Sequence, residues 1–72
     1  MKDYQKAIIE EISKIDYMEI KKTTVCESGR LRIKLHNLNK WEIQEIEEVL
    51  EKYNAKYFIK AEGGFLVIVV FK

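Results

Sequence analysis

The sequence predicts an α+β two-layer sandwich, with two helices on one face of a four-stranded antiparallel sheet. Three observations carry that prediction. The hydrophobic period alternates between about 3.6 and 2 along the chain, glycines punctuate the two period-2 regions, and the final segment FLVIVVF is apolar on both faces.

The first segment places Tyr4, Ile8, Ile12 and Ile15 on one helical stripe, with Asp3 as candidate N-cap, so a helix is expected over 3–15. From Met18 the pattern changes. Leu31, Ile33 and Leu35 alternate with Arg30, Arg32, Lys34 and His36, and Ser28-Gly29 stands where a two-residue hairpin turn belongs. Two strands over 18–27 and 30–36 follow, with 27 opposite 30 and 26 opposite 31.

Asn39 with Glu42 three residues later forms a capping box, and Ile43, Ile46, Leu50 and Tyr53 share one face of a helix that runs to Tyr53. Asn54 suits the left-handed residue that closes a helix. Gly63-Gly64 then divides strands 56–62 and 65–71. The two halves echo each other weakly, IIEEI against IEEVL, in residues that any amphipathic helix would use.

Strand polarity selects the topology. A pseudo-two-fold sheet would centre the first strand of each hairpin, but MEIKKTTVCE is polar whereas FLVIVVF is apolar throughout. The last strand therefore belongs in the middle, giving a permuted ferredoxin-like order 3-4-2-1 with short connections. The α-β-β-α-β-β order resembles that of LAGLIDADG homing endonucleases, but their acidic helix-end motif is missing and nothing is carried over from them.

With 72 residues the chain is expected to form one domain, 1–72, whose core is thin for its surface. Cys26 is the only cysteine, so no internal disulfide can brace it, and Cys26 and His36 alone cannot furnish a four-ligand zinc site. A lone cysteine and an amphipathic, charged leading segment suggest a cytoplasmic setting. The longest apolar run, 65–71, is far shorter than the roughly 20 residues of a spanning helix, so no membrane association is expected.

No catalytic set emerges. The expected register puts Cys26 and His36 on opposite faces and roughly 16 Å apart, too far for a thiolate–imidazole pair. Glu42, Glu45, Glu47, Glu48 and Glu51 fall where a surface helix puts its polar residues, without the Asp set or glycine loop a metal or phosphate site would add. Most of Trp41, Tyr4, Tyr17, Tyr53 and Tyr57 are expected to pack in the core and at its rim. No enzyme, metal, cofactor or small-molecule substrate is expected.

Two helices cover only one face of such a sheet. On the uncovered face the alternation places Arg30, Arg32, Lys34 and His36, joined by Lys21, Thr23 and Val25 across the first hairpin and by Lys60 on the third strand. The same face gathers Phe58, Phe65, Val67, Val69 and Phe71. Residues 17–38 carry five Lys/Arg against two Glu, a net +3, whereas residues 39–54 carry two Lys against five Glu, a net −3.

The function expected from this pattern is a non-enzymatic binding module acting through its open sheet face. The apolar set would serve self-association as a homodimer or other homo-oligomer, or docking on a protein partner. An inhibitor or accessory factor of the size that phages and mobile elements encode fits the description. The alternative is single-stranded nucleic-acid or nucleoprotein binding through Lys21, Arg30, Arg32, Lys34, His36 and Lys60, since cations interleaved with aromatics also follow phosphates and bases.

Overall fold

In a computed structural model that describes residues 1–15 and 18–71, the order is α1 Asp3–Ser13, β1 Ile20–Val25, β2 Leu31–His36, α2 Lys40–Lys52, β3 Tyr57–Glu62 and β4 Phe65–Val70. Tyr17 lies outside the described residues. The sheet is antiparallel throughout in the order β1-β2-β4-β3, so apolar β4 is central, as its composition requires. Ile8, Ile12, Ile46 and Leu50 of the helices close over Leu31, Ile33, Leu35, Ile68 and Val70, forming one core between the layers.

Helix α2 begins as the sequence indicates. The Asn39 side chain accepts from the Glu42 N–H at 2.9 Å, and the Asn39 N–H donates to the Glu42 carboxylate at 2.8 Å. Asn54 follows at φ 54°, a left-handed conformation that asparagine tolerates better than most residues. Helix α1 differs: its cap is Lys2 rather than Asp3, and the Lys2 N–H donates to the Gln5 Oε1 at 2.9 Å. Gln5 is fully buried because its Nε2 also donates 2.9 Å to the Gly29 carbonyl, tying the helix to the first hairpin loop.

The second hairpin turns through Gly63 and Gly64 at φ 58° and 84°, the two positive values that a type I′ turn demands. It sets Glu62 opposite Phe65 and Ile59 opposite Ile68.

The first hairpin is not the two-residue turn that Ser28-Gly29 suggests. Gly29 N–H donates to the Cys26 carbonyl and Cys26 N–H to the Arg30 carbonyl, each at 2.8 Å, so Glu27, Ser28 and Gly29 form a three-residue loop with Gly29 at φ 89°. Serine resists the positive φ that a type I′ turn would impose on it. Val25 therefore pairs with Leu31, one residue away from the expected register, and Lys22, Thr23, Thr24 and Val25 change face.

An irregularity between Ile20 and Lys22 then skips Lys21 and returns Ile20 to Leu35. The extra residue spares the core a lysine and supplies an isoleucine instead.

Among the described residues, Trp41 departs from the expectation that it packs in the core or at its rim. It is 71% exposed on the first turn of α2, away from the core stripe. Tyr53 and Tyr57 pack against the core as expected and turn their hydroxyls to carboxylates, Tyr53 to Glu11 and Tyr57 to Glu47 at 3.1 Å.

Candidate functional site

The sheet registers assemble the uncovered face in three transverse rows. Thr24, Arg32, Val69 and Phe58 make the first, Lys22, Lys34, Val67 and Lys60 the second, and His36, Phe65 and Glu62 the third. Of the expected residues, Arg32, Lys34, His36, Lys60, Phe58, Phe65, Val67 and Val69 are thereby brought together. Arg30 and Phe71 continue the face beyond the first row, with the Arg30 guanidinium 5.4 Å from the Phe71 ring centroid.

The β1 contribution is corrected by the register. Lys22 and Thr24 occupy the face in place of Lys21, Thr23 and Val25. Lys21 is displaced by the irregularity and pairs with Glu19 at 2.9 Å, holding that carboxyl below its usual range, chiefly through the hydrogen bond. Thr23 lies opposite Ile33 and Val25 opposite Leu31, on the side of the helices. Cys26, paired with Arg30, joins the same face as His36 rather than the opposite one. Six strand positions, roughly 20 Å, still separate the two, so they make no nucleophile–base pair.

The apolar residues do not form the exposed patch that alternation alone implies. Val67 and Val69 are only 2% and 5% exposed although they lie outside the interlayer core. Long side chains lie beside them: Lys34 and Lys60 flank Val67, and Arg32 and Phe58 flank Val69. Their aliphatic stems and the Phe58 ring can cover the valines while the charged heads stay in water. What remains visible is Phe58 at 44% and Phe71 at 40%, rings 5.9 Å apart at the end of the face distal to Phe65.

Lys22, Thr24, Cys26, Arg32, Lys34, Glu62 and Val67 line an open groove of about 300 Å³. Glu62 is its one carboxylate among the described residues. It lies 3.2 Å from the Lys60 ammonium and 3.4 Å from Arg32, and among the described residues no carboxylate is in salt-bridge range of Lys22 or Lys34. Lys34 instead stands 4.5 Å from the centroid of the Phe65 ring. His36 Nδ1 lies 2.8 Å from the Asn37 carbonyl, which accepts. The arrangement is a cation-rich floor with phenylalanines on either side.

Three carboxylates on the acidic side make structural contacts. Glu42 caps α2 and Glu47 accepts from Tyr57, while Glu11 of α1 receives Tyr53 and Lys52 from α2. The Tyr53 hydrogen bond, then Lys52, hold the Glu11 carboxyl below its usual range. Among the described residues no group of three or more His, Cys, Asp or Glu could hold a metal ion, and no helix is long and apolar enough to cross a membrane.

The fold and face define a small α+β sandwich with an uncovered cationic sheet. No protein-family model matches the chain, and no curated protein matches it either.

Proposed function

We propose that this chain is a non-catalytic binding module that takes an anionic partner on the open face of its sheet. The observation that supports this most is the row Lys22–Lys34–Lys60, which carries three ammonium groups across all four strands with only Val67 between them. Clustered like charges cost stability through mutual repulsion, and an anionic ligand relieves that cost.

Self-association through this face is disfavoured by the same residues. A second copy laid face to face would oppose cations with cations, and Val67 and Val69 offer it almost no exposed area. Light scattering is accordingly expected to give the mass of one chain over a wide concentration range.

Retention on an anionic matrix such as heparin tests the proposal. The wild-type chain should be retained at low salt and released as salt rises, and the triple variant Lys22→Glu/Lys34→Glu/Lys60→Glu should flow through with its far-UV circular dichroism unchanged. Equal retention of the two proteins would refute an anion site on this face.

A further inference from the structure

The anatomy of the open face distinguishes between anionic partners. Protein-binding surfaces have an apolar centre depleted in charge and a polar rim. Here the centre is charged instead: Lys22, Lys34 and Lys60 occupy the middle row around Val67, Arg32 shares the next row with Phe58, and the rings stand to either side of the lysines. Along the strands, Phe65 lies two residues from Val67 in one direction, and Val69, opposite Phe58, lies two residues away in the other, about 7 Å in each case. At the usual strand spacing the lysine row spans about 14 Å. A line of cations flanked by flat apolar rings matches a polymer whose charges run in line and whose uncharged parts are themselves flat.

Resting on the anionic-partner reading, we infer that the partner is single-stranded nucleic acid. Its phosphates follow Lys22, Lys34 and Lys60, and its bases stack on Phe65 to one side and on the Phe58–Phe71 pair to the other. Stacking on these rings requires bases that are not already paired, which selects single strands over duplex. The Lys34 ammonium, now over the Phe65 ring at 4.5 Å, is placed to leave it for a phosphate as a base arrives. Arg32 and Lys60 share Glu62, and the incoming phosphates compete with that carboxylate for both. Backbone charge and ring stacking are both sequence-tolerant, since every nucleotide offers a phosphate and every base a flat face, so weak base preference is expected.

Fluorescence anisotropy with four labelled probes tests the inference: an oligo-dT of about ten nucleotides, an abasic deoxyribose-phosphate chain of equal length, a hairpin duplex and a poly-glutamate peptide of equal charge. The oligo-dT is expected to bind about a hundredfold more tightly than the abasic chain or the duplex, about tenfold for each of the two stacking sites. With three phosphates neutralised, its log affinity should fall with log salt at a slope of about −2. Phe65→Ala should weaken oligo-dT about tenfold and leave the abasic chain unaffected, whereas Lys34→Glu should weaken both.

Equal affinity for oligo-dT, abasic chain and poly-glutamate would overturn the nucleic-acid inference while leaving the anion site standing. Tighter binding of poly-glutamate would overturn it in favour of an acidic protein, and equal binding of the duplex would overturn the single-strand preference. Binding of no probe at low salt would overturn the inference and the anion site together.

Discussion

The Lys34 ammonium lies 4.5 Å from the centroid of the Phe65 ring, on adjacent strands of a sheet face that no helix covers. Lys34 belongs to β2 and Phe65 to β4, and their contact joins the two kinds of side chain on which the proposed site depends. Charge and stacking can therefore be separated by substitution. Lys34→Gln should reduce the salt slope of oligonucleotide binding by about 0.7, the share of one phosphate. Phe65→Leu should lower affinity at every salt concentration and leave the slope unchanged.

The two faces of the sheet should respond unequally to truncation. Ile33 is fully buried between sheet and helices, and Ile33→Ala should cost about 2–5 kcal/mol in urea denaturation. Val67 is almost as buried, but long flexible side chains flank it. These can settle into the space, so Val67→Ala should cost only about 1–2 kcal/mol. Equal losses would mean that the lysine stems form a cover as rigid as the helices.

Gln5 holds α1 against the first hairpin through its hydrogen bond to the Gly29 carbonyl. Gln5→Leu preserves much of the packing and removes the donor, so it should cost about 1–3 kcal/mol. Faster amide exchange should concentrate at Cys26 and Gly29, whose N–H groups close the loop.

Glu11 links the helices and makes stability depend on pH in two directions. Its carboxyl is held below 4.5 by Tyr53 and Lys52, so its contribution is complete above that value and is lost as pH falls through the lower folded value. Tyr53 and Lys52 are raised above 10.0 and 10.5, mainly by Glu11, and their contributions are lost as pH rises through those higher folded values. Thermal melts of Glu11→Gln should accordingly be flatter than wild type at both the acid and the alkaline end.

The second half of the chain was more legible than the first. Gly63-Gly64 can adopt type I′ geometry without strain, which sets the β3–β4 register and hence the facing of Phe58, Lys60, Phe65, Val67 and Val69. Ser28-Gly29 looks similar but cannot do the same, because the serine would need a positive φ. A three-residue loop follows from that difference, and it puts Lys22 rather than Lys21 on the open face. The irregularity after Ile20 was signalled only indirectly, by a lysine falling on the core side. The covering of Val67 and Val69 could not be read from alternation, which gives a side chain's face but not the reach of its neighbours.

The most direct test of the binding face is a nitrogen–proton correlation map of the labelled chain titrated with oligo-dT. Chemical-shift changes should centre on Lys22, Thr24, Arg32, Lys34, Phe58, Lys60 and Phe65. Changes centred on α1 or α2, around Trp41 and Glu45 for instance, or no changes at saturating oligonucleotide, would contradict it.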